Sequence, residues 1–139
     1  MSCTLSRRFT RWAVALNVEE VSPRARMVAK RLLYDTIATG LGGYQTPLGE
    51  RAATFAGRSM PGDEATLLAT GTRVSAEGAA FGNAVMVKIL GMDDSHRTAS
   101  HIAAQVIPAA LAVTEPYGTS GADLLAAVVA AYELAVPVG

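Results

Sequence analysis

Twelve consecutive residues, Leu90-Gly91-Met92-Asp93-Asp94-Ser95-His96-Arg97-Thr98-Ala99-Ser100-His101, hold two carboxylates, two imidazoles and three hydroxyls, and the chain has no other histidine. A histidine accepts or donates a proton near neutral pH, and a neighbouring carboxylate orients and tunes it. Asp93, Asp94, His96 and His101 supply both groups. Ser95, Thr98 and Ser100 add hydroxyls that can hold a carboxylate or hydroxyl of a substrate. A helix opening near His101 would turn free backbone N–H groups toward an anion. Such a set suits proton abstraction or elimination on a small acid. The same Asp93, Asp94, His96 and His101 could instead bind a divalent metal, although their spacing follows no standard zinc pattern and no cysteine assists. A Ser–His–Asp hydrolase fits less well, because Ser95 lacks a G-x-S-x-G elbow. The plainest alternative is a solvated helix–helix loop whose polar residues only cap helix ends.

What surrounds this stretch is apolar. Half of the 139 residues are hydrophobic and 17% are charged, which predicts a compact domain with a real core. Twelve basic residues balance twelve acidic ones, so no charge excess attracts nucleic acid. Cys3 is alone and cannot form an internal disulfide, which points to a reducing compartment and a cytoplasmic location. The longest apolar run, Leu124 to Tyr132, has nine residues; a bilayer span needs about twenty, so no membrane partner is expected. Arg7, Arg8 and Arg11 lie near the start, but Glu19 and Glu20 soon follow. An ordinary first helix fits that pattern better than a transit peptide.

The elements that must position the polar loop read mostly as helices. Residues 5–17 form an amphipathic helix with Phe9, Trp12, Ala13 and Leu16 on one face. Ser22-Pro23 starts a second helix, whose apolar positions run through Ile37. Gly40, Gly42 and Gly43 are expected to stop it. Asp35 falls among the apolar positions and is expected to be partly buried beside an arginine. Thr46-Pro47 starts a short helix to about Phe55 or Gly57. Residues 65–74 read as a tiny hairpin, the one strand-like part. Ser75 starts a helix to about Leu90 whose first half is nearly all small residues, which predicts close approach by another backbone or a ligand. Residues 101–115 form another helix that Pro108 should kink or restart. Ser120 and Asp123 form a capping box for a final helix, 121–135. That last helix is apolar almost all round and calls for burial on every side, by further protein, by a subunit partner, or by both.

These residues, taken in order, resemble the MmgE/PrpD family. Leu32-Leu33-Tyr34-Asp35-Thr36-Ile37 with Gly42-Gly43 resembles its "LLDT…G…G" helix. Ala65-Thr66 with Thr70-Gly71 resembles its short crossover. Ser75, Ala79-Ala80-Phe81 and Asn83 resemble its "S…AAF.N" helix. Leu90, Asp93-Asp94-Ser95-His96 and His101 resemble its "LDFDDTH…H" signature. Pro108 to Ala112, Ser120-Gly121, Leu124-Leu125 and Tyr132-Glu133 follow in the family's order. Each motif is weak alone, and the ordered set over roughly residues 10 to 139 is fairly specific.

The resemblance implies an all-α fold over residues 1–139 as one helical domain, with at most one small hairpin near 65–74. It implies a lyase, such as a 2-methylcitrate dehydratase, cis-aconitate decarboxylase or epimerase. The substrate would be a small di- or tricarboxylate, the chemistry acid–base with neither metal nor cofactor, and the assembly a homodimer. Carried onto this chain, His101 would transfer the proton, with Asp93 and Asp94 as its catalytic companions orienting the loop or the imidazole. Ser95, His96 and Lys88 would bind substrate. Full-length members are about three times longer, so this region would be an N-terminal part, inactive alone. Several positions depart from the pattern. Gly91 stands where the family's first Asp is a catalytic candidate, Lys88 where many members have His, Ala84 for a usual Gly, Ile102 for a usual Pro and Pro137 for a common Arg. These departures motivate the alternative, a catalytically dead helical interaction or oligomerisation module.

Overall fold

The structure, a computed structural model, describes residues 4–97 and 101–138, the last two by backbone alone. Thr98, Ser100 and Cys3 lie outside the described residues. Six helices and one antiparallel hairpin make up the described chain: α1 (Leu5–Ala15), α2 (Pro23–Tyr44), α3 (Pro47–Ser59), β1 (Ala65–Thr66), β2 (Arg73–Val74), α4 (Ala76–Lys88), α5 (Ala103–Thr114) and α6 (Gly121–Val138). The all-α class and its single small hairpin are thus as expected. Four helices begin on hydroxyl caps. Thr4, Ser22, Thr46 and Ser75 each accept a hydrogen bond from the backbone N–H three residues on, which satisfies a donor the helix leaves orphaned. For α6, the Ser120 hydroxyl accepts from the Asp123 N–H and donates to the Asp123 carboxylate.

Glycine sets how closely the helices approach. α2 does not stop at Gly40, Gly42 and Gly43 but runs through them to Tyr44. A Cβ on Gly43 would land on the Met86 carbonyl oxygen, and one on Gly49 would land on the Gly43 carbonyl oxygen. These glycines therefore serve backbone-to-backbone contact among α2, α3 and α4, and that packing outweighs their low helix propensity. On α4, Gly82 makes room for a side chain instead: a Cβ there would sit 2.7 Å from Leu67 Cδ2. The close approach expected from the small half of α4 is thus made by the chain itself.

Two apolar clusters result. One joins α3, the hairpin, α4 and the end of α5 through Ala56, Leu67, Val74, Ala79, Met86 and Ala112. The other joins α2, α5 and α6 through Ala29, Ala103, Ile107, Leu124 and Val128. α5 belongs to both and runs without a break past the buried Pro108. Asn83 locks the hairpin to α4: its amide oxygen accepts from the Leu68 N–H at 2.9 Å and its NH2 donates to the Thr66 carbonyl at 2.9 Å. Arg73 ties the hairpin to the end of α5 by bonding both Asp63 and Glu115 at 3.0 Å.

One further expectation is corrected. Asp35 is exposed, because the buried stripe of α2 runs through Ala29, Thr36, Gly40 and Gly43 and leaves position 35 outside it. As expected, α6 is not enclosed on all sides by this chain: Leu124, Ala126, Val128 and Ala130 are buried, while Leu134 is exposed. α1 contributes no buried residue, and Phe9 and Trp12 pack on each other with ring centroids 5.3 Å apart.

Replacing Gly43 with Ala forces α2 off the Met86 carbonyl. The expected loss is about 3 kcal/mol, read as a lower denaturation midpoint, whereas Gly57→Ala, where the added methyl meets open space, is expected to be neutral or slightly stabilising.

Candidate active site

The α4–α5 connection carries the polar residues. α4 closes with the Gly91 N–H on the Lys88 carbonyl at 3.0 Å, and Gly91 takes a left-handed φ of 61°. That turn sends the chain back toward the start of α5. Asp93 follows, buried at the base of the loop, its side chain 0% exposed. Its Oδ1 lies 3.4 Å from Lys88 Nζ and 3.2 Å from His101 Nδ1. One carboxylate thus sits between two groups able to carry positive charge, one from the end of α4 and one from the approach to α5.

The contacts differ in kind. Lys88 Nζ donates a hydrogen bond to Asp93 Oδ1. His101 Nδ1 is within ion-pairing distance but off the line a ring N–H would need, so charge proximity rather than a hydrogen bond couples the two. Asp93 Oδ2 and His101 Nδ1 are both buried without a hydrogen-bond partner among the described residues. The His101 side chain is 32% exposed and that of Lys88 47%. Since Nδ1 is buried, the accessible part of the imidazole lies on its other atoms. The ring therefore keeps one nitrogen against a carboxylate and offers another part of itself outward, which is what a proton-transfer histidine requires.

Asp94 faces a different way. Its Oδ1 accepts the Ala103 N–H at 2.7 Å, and its Oδ2 accepts the Tyr132 hydroxyl at 2.6 Å. Ile102, at the head of α5, makes no side-chain cap; Asp94, eight residues upstream of it, takes over that task. Burial, then the hydrogen bond to Asp94 and then the charges of Asp94, Asp93 and Asp35 push the Tyr132 phenol far above its ordinary range. Tyr132 was not among the residues singled out for chemistry. The one signal available was a phenol at the end of an otherwise aliphatic run.

Of the expected site residues, the structure brings together the side chains of Lys88, Asp93 and His101, while Asp94 is turned to Ala103 and Tyr132. Ser95 and His96 are exposed on the same loop. Among the described residues no group of three or more His, Cys, Asp or Glu side chains is arranged to hold a metal ion, so the four candidate metal ligands are not gathered into a coordination sphere. A groove of about 330 Å³ lies between α2 and α6, and Tyr132 and Glu133 form part of its wall. No described helix is long and apolar enough to cross a membrane.

The MmgE/PrpD N-terminal domain family matches residues 7–139. The chain belongs to that family. Among curated proteins, the chain is similar to the cis-aconitate decarboxylase-like protein oryM of Aspergillus oryzae, at 29% identity over 136 residues. The match covers 92% of this chain and 28% of that protein, so the chain spans well under half the length of its relative. No solved structure gives a significant match. Membership in the MmgE/PrpD family agrees with the ordered motifs.

The raised phenol has a checkable consequence. Above about pH 10 the unfolded chain ionises Tyr132 while the folded chain does not, so the folded state holds the extra proton and stability falls as pH rises. Below that pH the Tyr132–Asp94 contribution is fully present. Alkaline absorbance titration should show a phenol that resists ionisation until the fold is lost, and Tyr132→Phe should remove that signal.

Proposed function

We propose that this domain supplies one wall of a lyase site acting on a small di- or tricarboxylate by acid–base catalysis, within a homodimer whose further residues lie outside this region. The observation that carries the reading is the buried Asp93 carboxylate held between Lys88 and a partly accessible His101. MmgE/PrpD membership and the similarity to a cis-aconitate decarboxylase-like protein support it.

In this reading His101 moves the proton at the carbon beside a substrate carboxylate. Asp93 keeps the imidazole in place and stabilises its protonated form during transfer. Lys88 and, from the exposed loop, Ser95 and His96 bind substrate carboxylates. Charge that builds on a carboxylate as its neighbouring carbon loses a proton or carbon dioxide is met by the Lys88 ammonium, and a fixed cation in such a place lowers the barrier. Neither metal nor cofactor has a step in this scheme. The protein would work in the cytoplasm.

A second reading rests on Gly91. It offers no carboxylate at the position where the family's first Asp is a catalytic candidate, and among the described residues nothing lies within 4 Å of where a side chain would start. A catalytically inactive helical interaction module would retain the fold and bind no citrate-like acid. Calorimetry with citrate and cis-aconitate separates the two, since millimolar or tighter binding counts against the module.

To test the lyase reading, residues 1–139 are joined to the remainder of the Aspergillus relative and assayed for decarboxylation and dehydration of citrate-like acids. His101→Ala is expected to lower kcat/KM by about 100-fold or more. Lys88→Ala is expected to raise KM by roughly 10-fold, the loss of one charge-assisted bond. Full activity in the His101 variant would sink the assignment.

A further inference from the structure

We propose that Tyr132 is a positioning residue for the site, acting through Asp94 to fix where α5 begins and so where the His101 imidazole lies. The route is short and every link is a contact. Tyr132 on α6 donates to Asp94 Oδ2 at 2.6 Å, and Asp94 Oδ1 accepts from the Ala103 N–H at 2.7 Å. Ala103 is the first residue of α5 and stands two residues after His101. On the other side, Asp94 is bonded through the backbone to Asp93, whose carboxylate faces His101 Nδ1. The carboxylate of Asp94 therefore governs the imidazole from both directions along the chain.

α5 has no side chain of its own residues to cap it. Without Tyr132 the Asp94 carboxylate keeps a single named partner and gains freedom to turn about its side-chain bonds. Tyr132 itself cannot drift far: Val128, one turn earlier on α6, is buried against α2 and α5. The phenol is a constant donor, since burial and Asp94 keep it protonated well beyond neutral pH. Neither Tyr132 nor Asp94 needs to touch substrate for this role.

The kinetic consequence rests on the lyase reading, but the structural one does not, and the two are measured separately. In the uniformly 15N-labelled chain, Tyr132→Phe is expected to move the ring signals of His101 and the amide signal of Ala103, with the ring signals of His96 changed less. Asp94→Asn keeps an oxygen for the Ala103 N–H and is expected to hold the Ala103 amide near its wild-type position. In the joined enzyme, Tyr132→Phe is expected to lower kcat about 10-fold, short of the 100-fold that a misplacement of about 1 Å can cost, with KM changed less than about two-fold. Unmoved His101 signals in folded Tyr132→Phe overturn the proposal, whether or not the enzyme turns over. Moved signals with no activity in the unmutated enzyme overturn the lyase reading and leave the positioning role standing.

Discussion

Everything around the site depends on Asp94 reaching two elements at once. A loop rich in charge has to leave α4, cross the mouth of an apolar core and deliver His101 to the start of α5. A buried backbone N–H without a partner is costly, and the head of α5 has no cap of its own. Asp94 satisfies that donor with one oxygen and joins α6 with the other. The loop is thereby fastened at its centre rather than only at its ends. Asp93 is held inside against Lys88 and His101, and Ser95 and His96 are left on the exposed side. Charged hydrogen bonds of this kind are stronger than neutral ones, which is why a single carboxylate can serve two elements.

The rest of the fold makes that fastening possible. Gly43 and Gly49 let α2, α3 and α4 meet backbone to backbone, and α4 then presents Lys88 at a fixed place. α5 is packed into both apolar clusters, through Ala112 at one end and Ala103 and Ile107 at the other. Its first turn is therefore held by apolar packing as well as by the Asp94 bond. Asn83 and Arg73 hold the hairpin against α4 and the end of α5. The division is clear: apolar contact and glycine set the frame, and a few carboxylates set the geometry within it.

Much of this could be read from residue order. Hydroxyl caps before Pro23 and Pro47, and the capping box at Ser120, marked helix starts because those side chains have few better uses at such positions. The dense polar loop stood out against its aliphatic surroundings, and Lys88, Asp93 and His101 do meet, while Asp94 turns to α5 and α6. What failed was the meaning of glycine. Gly40, Gly42 and Gly43 look like a stop in one dimension, yet the missing Cβ is needed by a helix more than forty residues later. Asp35 was misplaced because its neighbours are apolar on more than one face, so the buried stripe could not be told from the pattern alone. Tyr132, placed only among the ordered motifs, carried no chemical role for a related reason. A hydrogen bond across thirty-eight residues leaves no local trace.

In the proposed lyase, His101, set against buried Asp93, is the group that moves the proton, and hydrogen exchange at carbon tests this most directly. The joined enzyme is given a citrate-like acid in deuterium oxide, and label entering the carbon beside the carboxylate is followed by mass spectrometry. Rapid incorporation is expected with His101 present, and loss of incorporation in His101→Ala, while binding of the acid persists. Incorporation at an undiminished rate in the His101→Ala enzyme would contradict that role.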